Sequence, residues 1–92
     1  VITAIVMIQT ETSQIPETAQ QLADIDGVSE VYSVAGSSAD LIAMVRVREF
    51  EDIATVCTGS ISKVPGVLST ETHIAFQAFS QHDLESTFSI GL

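Results

Sequence analysis

The chain has 92 residues, 46% of them apolar and only 16% charged, and carries a formal net charge of −9. That length supports one small domain, which buries a limited share of its own surface and gains from a partner subunit. Three Lys and Arg against twelve Asp and Glu cannot assemble the phosphate contacts on which nucleic-acid binding depends, and they disfavour anionic membranes equally.

No apolar run approaches the roughly 18–20 residues of a membrane span. The opening Val1–Ile8 lacks a basic n-region, so a cytoplasmic location is expected. The first strand is predicted over Val1–Gln9, with Val1, Thr3, Ile5 and Met7 on one face and Ile2, Ala4, Val6 and Ile8 on the other. Both faces are largely apolar, unlike a sheet with one wet side. After a polar connection, Pro16 and Glu17 suit a helix start. Ile15, Ala19, Leu22 and Ala23 then follow helical spacing up to Asp26-Gly27.

A second strand is predicted over Val28–Ala35, with Val28, Tyr32 and Val34 on one face and Val31 opposite. Gly36-Ser37-Ser38-Ala39-Asp40 follows as a turn of small residues, and Leu41–Arg48 as the third strand. This hairpin centres the chain, and Asp40 is its one side chain charged at neutral pH between Glu30 and Arg46. A second helix is expected from Glu49 to Lys63, burying Phe50, Ile53, Ala54, Cys57, Ile61 and Val64. Gly59 inside that span costs about 1 kcal/mol relative to Ala. Val64-Pro65-Gly66 stops it. A fourth strand is predicted over Val67–Phe79, with Leu68, Ile74, Phe76 and Ala78 on one face.

Strand, helix, Gly-Val and strand thus occur twice, and the interval between Gly27 and Gly66 also lays Val6 on Val45 and Leu22 on Ile61. Two such units make β-α-β-β-α-β, a ferredoxin-like α+β sandwich with both helices on one sheet face. The other face carries apolar side chains too, so two sheets are expected to pair face to face as a dimeric barrel, about 10 Å apart. Residues 1–79 form the domain. Residues 80–92 form an arm whose Phe88, Ile90 and Leu92 pack on the domain itself or on a neighbouring subunit.

Lone Cys57 on an apolar helix face reads as a small hydrophobe. Glu71 and His73 share a strand face, but two ligands without a third make a poor metal site, and no metal or cofactor is expected. No Ser lies in a nucleophile elbow, and no glycine run forms a phosphate loop.

The hairpin with Gly36 and Asp40, the following Val45-Arg46-Val47, and Val64-Pro65-Gly66-Val67 with Ser69-Thr70-Glu71-Thr72 resemble the effector-binding (RAM) domain of the Lrp/AsnC family. The similarity covers nearly the whole chain. The chain resembles the stand-alone members without the helix-turn-helix domain. The resemblance implies a non-enzymatic, amino-acid-binding module of transcription regulation. It also implies homodimers joined through their sheets, assembly into an octamer of four dimers, and full-length Lrp/AsnC relatives as partners. An amino acid or related small-molecule effector then binds at the turn. Asp40 faces its ammonium, Gly36 and Ser38 line the turn, and Ser69, Thr70, Thr72 and His73 supply contacts from the fourth strand. The chain departs from the family pattern in placing three residues between Gly36 and Asp40, with Ala39 where an aromatic is usual.

Such a site needs an acceptor for an ammonium and donors for a carboxylate, which Asp40, turn N–H groups and hydroxyls provide. The competing role for Asp40 is to satisfy backbone groups of its own turn. A second function class is a small dimeric ferredoxin-like enzyme of the monooxygenase type, for which Tyr32 and His73 are the only acid–base candidates.

Overall fold

The structure, a computed structural model, describes residues 1–36 and 38–79, so the expected arm at 80–92 lies outside the described residues. The elements run β1 (Ile2–Thr10), a 3₁₀ turn (Thr12–Gln14), α1 (Ile15–Ala23), β2 (Val28–Ser33), β3 (Leu41–Val47), α2 (Phe50–Cys57), a second 3₁₀ turn (Ile61–Lys63) and β4 (Val67–Ala75). All strand pairings are antiparallel, in the order β2-β3-β1-β4. This is the expected ferredoxin-like α+β fold.

Cross-strand partners share a sheet face, so the register assigns the faces. Ala4 opposes Val45, Val6 opposes Ala43 and Ile8 opposes Leu41. These six are fully buried and cluster with Leu22 of α1, with Ile53, Val56 and Cys57 of α2, and with Ile61. The alternate residues make the open face: Thr3, Ile5 and Met7 of β1, Ile42, Met44 and Arg46 of β3, Glu30 and Tyr32 of β2, and Glu71, His73 and Ala75 of β4. Its centre, Ile5, Met7, Ile42 and Met44, is only half-buried in one chain.

The repeat is visible in the packing. Gly27 and Gly66 both adopt φ +97°, a conformation in which a Cβ is strained. A Cβ on Gly66 would strike the Thr18 hydroxyl of α1, and one on Gly27 would lie 2.8 Å from Val56 Cγ2 of α2. Each helix therefore packs on the glycine that closes the other half. Thr18, 1% exposed, donates its hydroxyl to Pro65 O at 3.1 Å, which satisfies it inside the core.

Several predicted details are corrected. The second helix stops at Cys57 rather than Lys63, because Gly59 leaves the spiral. A Cβ there would lie 2.5 Å from Thr55 O, and the chain turns again as 3₁₀ at Ile61–Lys63. Its buried residues are Ile53, Val56 and Cys57, while Ala54 is exposed and Phe50, in the first helical turn, is 61% exposed. In α1 the buried pair is Thr18 and Leu22, and Ala23 faces water.

Both β2 and β4 carry an extra residue just after the closing glycine and valine. The register shifts between Val28 and Glu30, and again where Thr10 meets Val67 and Gln9 meets Ser69. A bulge breaks period-two alternation. Val28 consequently joins Val31 on the helix side, opposite Val45 and Ala43, while Tyr32 faces the open side opposite Ile42. Likewise Val67 packs on the core while Leu68 is exposed, and β4 ends at Ala75, short of Phe79.

Candidate functional site

The turn between Ser33 and Leu41 is tied down by Asp40. Val34 N–H donates to Asp40 O at 3.1 Å, and Asp40 N–H donates to Ile8 O at 2.8 Å. The side chain reaches further: Asp40 Oδ2 accepts the Thr10 N–H at 2.9 Å. The β1–β3 register ends at Ile8 and Leu41, so the carboxylate takes an N–H of β1 that lies beyond the last ladder pair. This is the backbone-satisfying role. It does not exhaust the group, because a carboxylate offers about four acceptor sites on two oxygens. Asp40 is half-buried, between exposed Ser38 and buried Leu41.

Gly36 is exposed, has no positive φ, and a Cβ there would meet nothing within 4 Å. Steric need does not explain this glycine. Ala39, where the resemblance implied an aromatic, is 5% exposed.

The fourth-strand candidates divide between the two faces. Thr70 opposes Ile8 and Thr72 opposes Val6, on the helix side; Ser69 opposes Gln9 and His73 opposes Ile5, on the open side. All four are exposed. Ser69 Oγ donates to Gln9 Oε1 at 2.9 Å, and His73 Nε2 lies 3.3 Å from Glu71 Oε2. Asp40 thus meets the last residues of β1 from the β3 side, while Ser69 and Thr70 meet them from the β4 side on opposite faces, with β1 between. Thr72 and His73 lie further along, with His73 about 13 Å from Ser69 at ~3.3 Å per residue.

Two participants were missed in the sequence. Thr10 presents the N–H that orients Asp40, and its own hydroxyl is buried without a hydrogen-bond partner among the described residues. The available signal was a Thr closing the otherwise apolar series Ala4, Val6, Ile8. Gln9, which holds Ser69, gave no signal beyond being polar.

A second polar group lies at the β2 edge of the open face. Tyr32 Oη donates to Glu30 Oε2 at 2.6 Å, and Arg46 Nη1 donates to Glu30 Oε1 at 2.9 Å and to Ser29 Oγ at 2.6 Å. The Tyr32 hydroxyl, and after it Arg46, hold the Glu30 carboxyl below its ordinary value. The same hydrogen bond raises the Tyr32 phenol, whose proton the carboxylate retains. Tyr32 and His73 belong to opposite edge strands of the sheet, roughly three strand spacings or ~14 Å apart. They cannot act as one acid–base pair within a chain.

The element order and the sheet define a small ferredoxin-like α+β module. The family follows from comparison: the model of the Lrp/AsnC ligand binding domain matches residues 3–84, and the chain belongs to that family. Among solved structures, TTHA0845 from Thermus thermophilus is 37% identical with a TM-score of 0.81, over 88% of this chain and 100% of that one. PHS023 from Pyrococcus horikoshii is 29% identical with a TM-score of 0.75, over 90% of this chain and 96% of that one. The HTH-type transcriptional regulator PF1231 of Pyrococcus furiosus is 27% identical over 73 residues, 79% of this chain; the chain spans about half, 49%, of that protein's length.

Proposed function

We propose that the chain is a non-enzymatic sensing module that binds an amino acid or related small molecule at the Gly36–Asp40 turn and regulates partners without contacting DNA. The observation carrying this reading is the partly buried Asp40 carboxylate, held at the sheet end by Thr10 N–H at 2.9 Å in a turn whose Gly36 and Ser38 are exposed. A fixed carboxylate takes an ammonium with little further loss of freedom. Exposed backbone at Gly36 and Ser38, with the hydroxyl of Thr70, offers donors for the ligand's carboxylate; Ser69 lies on the opposite face with its hydroxyl donated to Gln9, and Thr72 and His73 belong to a more distant part of the same strand.

The half-buried apolar centre of the open face supports a homodimer formed by sheet-to-sheet pairing. Assembly of four dimers and partnership with full-length Lrp/AsnC relatives extend the same reading, as does a cytoplasmic location. The monooxygenase alternative has less support, because the layer between sheet and helices is filled by fully buried side chains and Tyr32 and His73 stand on opposite edges.

The test is a thermal-shift screen of the twenty amino acids, followed by calorimetry on any that raise the melting temperature. Stabilisation by one or a few related amino acids, saturating with concentration, is the expected result. No shift from any of them at millimolar concentration would overturn amino-acid sensing.

A further inference from the structure

The last described residues carry the largest unexplained apolar exposure in the structure. Phe76 is 99% exposed and Phe79 is 83% exposed. They follow directly on β4, and Phe76 lines an open cleft of about 470 Å³ with Val1, Ile5, Met44, Arg46 and Ala75, at the rim of the open face. We propose that residues 76–79 form an arm that crosses onto the open sheet of a second copy of this chain. The inference rests on sheet-to-sheet pairing and names what completes it.

Area selects this occupant. Four strands spaced about 4.8 Å apart and seven residues long at ~3.3 Å each present a flat face of roughly 450 Å². A stable interface needs about 800 Å² from each partner. Two phenylalanines, each burying about 150–250 Å², close most of that gap. The cleft is continuous with the apolar centre of the face through Ile5 and Met44, so arm and sheet belong to one surface. Arg46, whose Nη1 is already bound to Glu30 and Ser29, closes the cleft at the β3 end with the stem of its side chain available for packing.

The experiment measures dimer dissociation of the full chain by sedimentation and by fluorescence on dilution, for wild type, Phe76→Ser/Phe79→Ser, Met44→Asp and Phe50→Ser. Phe76 and Phe79 lie beyond β4 and outside the buried core, so their replacement removes no contact of that core; circular dichroism checks the fold of every variant. The double serine variant is expected to raise the dimer Kd by about a hundredfold, roughly tenfold for each desolvated aromatic. Phe50→Ser, on the helix side, should leave it unchanged. With Phe76→p-benzoylphenylalanine, photolysis should give a product of dimer mass joined to β1 or β3 of the other copy. A product of monomer mass, or an unchanged Kd for the double serine variant, overturns the arm. If Met44→Asp dissociates the dimer while the double serine variant does not, the arm alone fails. An unaffected Met44→Asp dimer removes sheet pairing itself, and the arm with it.

Discussion

Replacing Asp40 in two ways separates its backbone role from its ligand role. Oδ2 accepts the Thr10 N–H at 2.9 Å in a partly buried setting, so Asp40→Ala leaves that donor bare. A hydrogen bond to a charged group contributes about 1.5–3 kcal/mol, against about 0.5–1.5 for a neutral one. Asp40→Asn keeps a neutral acceptor at the same reach and should lose only about 1 kcal/mol. With urea m-values of about 1–3 kcal/mol per molar, a 2 kcal/mol loss lowers the unfolding midpoint by roughly 1 M. The alanine variant should show that displacement and the asparagine variant about half of it.

Ligand affinity should sort the variants differently. Both remove the charge that meets an ammonium, so both should weaken binding by about ten- to a hundredfold in calorimetry with the amino acid returned by the screen. Equal losses of affinity with unequal losses of stability are the expected signature. Wild-type affinity in Asp40→Asn would show that charge is not the recognition element and move the site elsewhere. A wild-type midpoint in Asp40→Ala would show that the Thr10 hydrogen bond adds nothing to stability.

Three further outcomes are expected. Gly66→Ala adds a Cβ at φ +97° against the Thr18 hydroxyl, and strain plus the displaced Pro65 bond should cost about 2–5 kcal/mol; in a Thr18→Ala background the denaturation midpoint should fall less, and strict additivity would refute the contact. Tyr32→Phe removes the largest influence lowering the Glu30 carboxyl, so an NMR titration should move Glu30 back toward its ordinary value, whereas an unmoved titration would discount the hydrogen bond. The sign follows: a lowered folded-state carboxyl stabilises above its unfolded value and loses that contribution as pH falls through the folded value, so the variant loses it at higher pH than wild type. Gel shifts with duplex DNA should show no saturable, salt-sensitive binding, given three cations among twelve acids.

Much of the fold was legible because local chemistry and burial agree. The alternating apolar series of β1 and β3, Pro16 near the start of α1, and glycines where each half closes place the elements and their order. The repeat through Gly27 and Gly66 then yields β-α-β-β-α-β. Asp40 was legible as the turn's only carboxylate, though its partner was not, since Thr10 is thirty positions away in sequence and joins it only once β1 lies beside β3.

What the sequence determined, then, is the set of strands and helices and the existence of two apolar sheet faces, because hydrophobic periodicity reports burial directly. Tertiary structure alone decided which residues occupy those faces. The paired bulges after Gly27-Val28 and Gly66-Val67 move Tyr32 to the open face and Leu68 out of the core. Period-two alternation holds only while each residue has one partner across the ladder. An extra residue resets the pleat, and whether one is inserted depends on the neighbouring strand rather than on the strand's own side chains.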